Sequence, residues 1–293
     1  MIELPEPWRR AAEEIAADPG EVLVLGAADA GKTTLIGWLA SHPDLPRPCY
    51  VVDSDPGQGR SIPGLLVGGS EDFYFVGSNS PRGHLLGCAV GARRLCDCGR
   101  SRRAGLILVN TSGWVEDGAA IALAQALIEL LTPRWVLGLA RGVELEPILE
   151  PYRGLRMPRV RYLPVSTRAV RRTPLERSKR RQEAYRAYFG AGRLEEVALG
   201  RVGLSGMSPS ALLSRGRPGM VLGLFDEENR CLGAGMLCGL ESDRRVLQLQ
   251  VPAGAAGRIR RLHLGRIELS ADFSDVSPRK SPATRTFRAR CAR

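Results

Sequence analysis

The sequence predicts an α/β fold: a mainly parallel sheet with helices on both faces, followed by a small β-rich C-terminal domain. Three observations carry that expectation. Apolar runs of strand length recur at 22–26, 49–53, 73–77, 105–110, 134–139 and 160–165. Helix-compatible stretches separate several of them, which is the pattern of βα units. Between the first run and the next lies Gly26-Ala27-Ala28-Asp29-Ala30-Gly31-Lys32-Thr33, a full match to G-x-x-x-x-G-K-[ST].

In order along the chain, residues 1–20 are expected as a helical extension. Glu21 to Gly26 is a short apolar run ending in glycine, as a buried parallel strand should be. Thr33 to Ala40 continues as an apolar helix. Strand, glycine loop and helix N-terminus together aim backbone N–H groups and the helix dipole at an anion. Residues 26–34, Thr34 included, are therefore the expected phosphate cradle of a P-loop NTPase fold. Lys32 is one of only three lysines among 42 basic residues. A compact ammonium on a flexible stem suits the space between phosphates better than a planar guanidinium. The clearest later helix is 117–131, and another is expected at 174–189. After Gly190 the texture changes to β-like pieces at 219–225, 231–240, 245–251 and 262–269, broken by turn residues. The expected organisation is a P-loop domain over 21–190, a β-rich domain over 191–276 and a mobile basic tail at 277–293.

Composition narrows the function classes. With 44% hydrophobic and 25% charged residues, the chain reads as an ordinary soluble globular protein. No apolar run approaches the roughly 18 residues of a membrane span. The N-terminus has no apolar core, so no signal peptide is expected. Seven cysteines without a C-x-x-C exclude a disulfide framework and a zinc ribbon, and a reducing cytoplasm is the expected location. The net charge of +11 is concentrated: from Arg168 to Arg186 stand eight basic residues and two acidic ones. Such a segment is the footprint of a polyanionic partner or of several phosphates at once.

The ends of the predicted strands face the ligand crevice in such a sheet. Asp53 and Asp55 end the second strand, ahead of Gly57-Gln58-Gly59. Two carboxylates there, with the Thr33 hydroxyl, suit a Mg²⁺ shell, and one can accept a proton from an attacking hydroxyl. A GTPase would show D-x-x-G and N-K-x-D, and neither is present. A kinase is the better reading. The fourth strand ends in Asn110-Thr111-Ser112-Gly113-Trp114, where the tryptophan is placed to stack on a nucleobase. Ser80-Pro-Arg-Gly-His84, after the third strand, is a further candidate for the acceptor cleft through His84.

With those residues in hand, the chain resembles the polynucleotide 5′-hydroxyl kinases related to the eukaryotic pre-mRNA cleavage-factor and tRNA-splicing kinase and to the ribosomal-RNA processing kinase. The resemblance rests on Gly26 to Thr33, on Asp53-x-Asp55-x-Gly57-Gln58-Gly59 with Ser61-Ile-Pro-Gly64, on Asn110-Thr-x-Gly-Trp114, and on the arginine segment closing at Tyr188-Phe-Gly190. It implies ATP as the phosphate donor, Mg²⁺, and a nucleic acid with a 5′-OH end as the acceptor. It casts Asp55 as the Walker B acid with Asp53 supporting it through water, and Thr111 to Trp114 as a clasp on the acceptor nucleotide, with Gln58 and Gly113 beside it. Arg172, Arg177 and Arg181 match the family's lid, at 168–189 here, and Ser166 is expected near the adenine. Spacing alone puts Arg177 and Arg181 on one helix face. The eukaryotic relatives carry a sizeable N-terminal domain, against about twenty residues before the first strand here. Two other functions compete: an ATP-binding scaffold in an RNA-processing assembly, and a P-loop kinase for a small metabolite. The intact Lys32, Asp55 and lid arginines weigh against the first, and the basic segment and Trp114 against the second.

Overall fold

The computed structural model describes residues 5–57, 62–166 and 169–276. The expectations for Gln58, for Arg168 and for the tail at 277–293 fall outside the described residues. The chain runs α1 (Glu6–Ala17), β1 (Glu21–Gly26), α2 (Lys32–Ser41), β2 (Cys49–Asp53), β3 (Leu65–Gly68), β4 (Asp72–Phe75), α3 (Leu85–Ser101), β5 (Leu106–Asn110) and α4 (Gly118–Leu131). It continues through β6 (Trp135–Ala140), α5 (Glu146–Leu149), β7 (Arg159–Pro164), α6 (Pro174–Gly190), β8 (Arg193–Ala198), β9 (Gly203–Ser205), α7 (Pro209–Arg215), β10 (Met220–Phe225), β11 (Cys231–Glu241), β12 (Val246–Val251) and β13 (Arg261–Glu268).

Strands β7-β6-β1-β5-β2 lie side by side and all pair in parallel, as βα units require. The alternation of β1 explains why helices flank both faces. Val22 and Val24 face α1 and α2, packing with Trp8, Ile15, Leu35 and Leu39. Leu23 and Leu25 face the opposite way, into a core with Leu95 of α3, Leu127 of α4 and Ile148 of α5. Every residue from Val22 to Gly26 is buried, which is why the run reads as uniformly apolar.

Beyond β2 the sheet turns antiparallel. The strand expected at 73–77 is β4, and it pairs with an unexpected neighbour, the four-residue β3. β3 is too short to stand out as an apolar run, and β4 is not part of the parallel series. Helix α3 was also not distinguished in the sequence. It buries small residues (Cys88, Gly91, Ala92, Cys96 and Gly99), so its inner face carries little apolar periodicity.

The antiparallel strands β8 and β10–β13, with β9 alongside β13, continue the same sheet, joined to β4 through the pair Phe73–Cys231. They enclose a core of their own around Leu222, Leu237, Leu249 and Leu262. A second core links them to α6, where Tyr185 and Phe189 pack with Val221, Phe225, Ile267 and Leu269. The β-rich segment therefore braces the arginine-bearing helix. Among the described residues no helix is long and apolar enough to cross a membrane.

Candidate active site

The floor of the site is the loop between β1 and α2. Gly31 precedes α2 with φ 94° and ψ 13°, a left-handed conformation that glycine adopts without a Cβ clash. Lys32 is buried and its Nζ donates to the carbonyls of Gly26 at 2.7 Å and Ala27 at 3.0 Å. Burial pushes this ammonium down to about 8, while the carboxylates of Asp55, Asp29 and Asp53 pull the other way. Thr33 and Thr34 are exposed on the first turn of α2.

At the end of β2 the two acids are fixed by backbone and by the next strand. Asn110 Nδ2 donates to Asp53 Oδ1 at 3.0 Å, and the Asp55 N–H reaches the same oxygen at 3.3 Å. Asp55 Oδ1 accepts the Gly57 N–H at 2.9 Å, closing an Asx turn. Ser54 Oγ and N both donate to the Asn110 carbonyl, so β2 and β5 are laced together where they open on the crevice. The buried Asn110 Oδ1 accepts no hydrogen bond among the described residues.

The segment expected as the acceptor clasp is the β5–α4 loop. A Cβ on Gly113 would come within 2.6 Å of the Ala28 backbone, so only glycine lets this loop lie against the phosphate loop. The Trp114 indole Nε1 donates to Asp117 Oδ2 at 2.9 Å. Asp117 in turn caps α4, its Oδ1 accepting from the N–H groups of Ala119 and Ala120. Arg82 lies over the Trp114 ring, 4.7 Å from its centroid, and pairs with Asp117 at 3.1 Å. The ring is thus held in a set orientation beside the cleft. Thr111 serves differently from the clasp reading: its hydroxyl is buried and donates to the Val24 carbonyl at 2.8 Å, tying β5 to β1. His84 precedes α3, its carbonyl accepting the Cys88 N–H, and it is not among the residues lining the cleft.

The lid is α6. Thr173 and Glu176 form a reciprocal capping box at its start, and Pro174 occupies the first turn. The Arg172 N–H and Nη1 reach the Asp29 carboxylate at 3.0 and 3.3 Å, and Arg177 Nη2 reaches it at 3.1 Å. Arg177 and Arg181 line the cleft together, one helical turn apart, as their spacing predicts. The Nε atoms of both are buried and have no protein partner among the described residues. Ser166, just past β7, is not among the residues lining the cleft.

These parts enclose one cleft of about 500 Å³. Ala27, Ala28 and Asp29 line it together with Asp55, Gly57, Gly113, Trp114, Arg177 and Arg181. Several lining residues escape sequence reasoning. Asn79 enters just ahead of Ser80 and Pro81, which belong to the 80–84 segment expected at the cleft. Arg141 follows the end of β6 and Arg171 precedes α6. The rule that strand ends face the crevice would have found Arg141; nothing local marks Arg82 as a partner of Trp114.

A model of the mRNA cleavage and polyadenylation factor CLP1 P-loop family matches residues 26–191. The chain belongs to that family. The matched span runs from the first glycine of the loop to the end of the lid, so family membership covers the floor, the acids, the clasp and the arginines. Over nearly its whole length this CLP1-family chain is similar to archaeal proteins. A polyribonucleotide 5′-hydroxyl-kinase of Pyrococcus furiosus is 25% identical, with 94% of this chain and 95% of the relative covered. One from Thermococcus kodakarensis is 26% identical with the same coverage, and one from Methanocaldococcus jannaschii is 24% identical, covering 88% of this chain and 89% of the relative. Among solved structures, wild-type Clp1p in its complex with Pcf11p shares the fold with a TM-score of 0.66 at 14% identity, covering 88% of this chain and 77% of that one.

Proposed function

We propose that this chain is a polynucleotide 5′-hydroxyl kinase, transferring the γ-phosphate of ATP to the 5′-OH of RNA or DNA. The observation that carries the reading is the single cleft in which the phosphate loop, Asp55, Trp114, Arg177 and Arg181 meet. A donor site and an acceptor site must share one space for in-line transfer, and catalysis of this kind is almost entirely positioning and charge stabilisation. The archaeal relatives that span nearly the whole chain are named polyribonucleotide 5′-hydroxyl-kinases. In this reading Lys32, with two of its three ammonium protons on loop carbonyls, keeps one for the phosphates. Asp55 orients the acceptor hydroxyl and takes its proton. Trp114 stacks on the terminal base, and Arg177 and Arg181 stabilise the charge spread over the transferring group.

Mg²⁺ fits the donor set. The Thr33 hydroxyl and the Asp55 and Asp53 carboxylates are hard oxygen donors, and the described residues hold no three-ligand His/Cys/Asp/Glu cluster. That is the pattern of an ion bound by one or two carboxylates plus substrate phosphates. Thr33 and Asp55 would hold the ion directly and Asp53 through water; bound there, it supplies neutralisation of the phosphate charge. A reducing, cytoplasmic setting belongs to the same reading, and the six described cysteines are all free thiols.

Incubation with γ-labelled ATP, Mg²⁺ and 5′-OH oligonucleotides tests the assignment. Label should pass to the oligonucleotide end. ATP binding without any transfer to RNA or DNA would overturn it in favour of a scaffold, and transfer only to a small alcohol in favour of a metabolite kinase.

A further inference from the structure

Asp29 is the sole acidic residue within the phosphate loop. Its backbone sits at φ 60°, a conformation that Asp and Asn tolerate better than other side chains. Its carboxylate is 4% exposed, and the partners it holds lie 143 and 148 residues further along the chain. Arg172 gives it two hydrogen bonds, one from the backbone N–H and one from Nη1. Arg177 gives a third through Nη2, which also donates to the Arg172 carbonyl at 2.9 Å. A carboxylate inside a loop made to bind phosphate thus gathers the cations that the lid would offer a phosphate.

The arrangement has the marks of preorganisation. Arg172 stands immediately before Thr173, the cap of α6, so the contact sets where the lid helix begins. Arg177 uses only Nη2 on Asp29, while its Nε and that of Arg181 are buried and find no protein partner among the described residues. Buried guanidinium donors without partners are rare, because an unmade hydrogen bond there is costly. They imply a ligand anion that completes them.

We propose that Asp29 is a positioning residue for phosphoryl transfer: its carboxylate holds Arg172 and Arg177 over the phosphate loop before ATP arrives. Asp29 touches no reacting atom and acts through the two arginines. The lid then meets the γ-phosphate already oriented, and its ordering is complete before chemistry. The proposal rests on the kinase reading for its catalytic consequence, but not for the contact itself. A carboxylate next to a triphosphate also repels it. Removing the charge therefore separates binding from turnover: ATP binds as well as before or more tightly, while transfer slows.

Asp29→Asn preserves shape and backbone tolerance and removes the charge. In nucleotide-free protein, limited trypsin digestion mapped by mass spectrometry should cut the segment 171–180 about fivefold faster than in the wild type, the effect of losing roughly 1 kcal/mol of local ion pairing. An unchanged rate overturns the proposal, and this readout needs neither acceptor nor turnover. In the kinetic arm, wild-type protein that fails to label a 5′-OH oligonucleotide counts against the kinase reading alone. With transfer established, kcat for Asp29→Asn should fall at least about tenfold with the KM for ATP no higher than wild type. A kcat that is unchanged or raised makes the contact idle or autoinhibitory and overturns the proposal. Should the loop variant misfold, Arg172→Ala breaks the same contact from the lid side. It should reproduce the faster cleavage, and a wild-type cleavage pattern overturns the proposal.

Discussion

Lys32 of the phosphate loop and Arg177 of α6 are two cations held by different means. Lys32 is buried and bound to two carbonyls of its own loop, five and six residues away. Arg177 is partly exposed and bound to a carboxylate 148 residues back in the chain. The same contrast runs through the whole floor and lid. The floor is a set of buried hydrogen bonds between adjacent parallel strands, such as Asn110 to Asp53 and Thr111 to Val24. The lid couples an apolar end, anchored by Tyr185 and Phe189, to a charged end whose partners are ions. Buried hydrogen bonds are little affected by salt, whereas an ion pair with a partly exposed guanidinium is screened. The fold thus seats the phosphate loop on buried local bonds and ties α6 to it through ion pairs.

Four predictions press on that contrast, beginning with the largest effect. Lys32→Ala or Asp55→Asn should reduce label transfer to an oligonucleotide by about 10³-fold or more, because floor groups have no substitute. A loss of tenfold or less would mean that the floor is not where the charge is stabilised. Arg177→Ala should lower kcat by about 10²- to 10³-fold while leaving the melting temperature near wild type, since the helix is anchored at its other end. A large drop in melting temperature would show that the charged end is structural after all. Trp114→Ala should raise the oligonucleotide KM by roughly tenfold, in line with about 1–3 kcal/mol for a stacked base, with little change in the ATP KM. Equal effects on both constants would remove the tryptophan from the acceptor side.

The smallest effect concerns pH. Burial lowers Lys32 from its ordinary 10.5 to about 8, so in the ATP-free protein the neutral amine accumulates as pH rises through that value. Bound phosphates favour the ammonium. ATP binding should therefore take up a proton above pH 8 and weaken by up to about tenfold per pH unit there. Calorimetry in two buffers of different ionisation heat measures that uptake; none between pH 8 and 9 would place Lys32 outside the phosphate site.

Legibility in the sequence followed the same division. The floor was readable because it is local: eight consecutive residues specify the loop, and Asp53 and Asp55 follow directly from a strand end. The pair Arg177 and Arg181 was readable because helical spacing is itself local. That the Thr111 hydroxyl ties β5 to β1 shows only once the strands are adjacent. Helix α3 and strand β3 were missed for want of a pattern, one lined by small residues and the other only four residues long. The β-rich segment was expected as a separate unit, and its junction with the parallel sheet at Phe73–Cys231 has no sequence signal at all.

By itself the sequence determined the α/β class, the phosphate loop with its single suitable lysine, the paired acids and the arginine-bearing helix. Each of these is encoded by neighbours within about one turn or one strand, where covalent connectivity holds the geometry. Only the tertiary structure decided which distant groups meet: Asp29 with Arg172 and Arg177, Trp114 with Arg82, and Gly113 against Ala28. Those contacts join segments whose separation in the chain leaves no periodicity to read, and they exist because the packed sheet brings its strand ends to one edge.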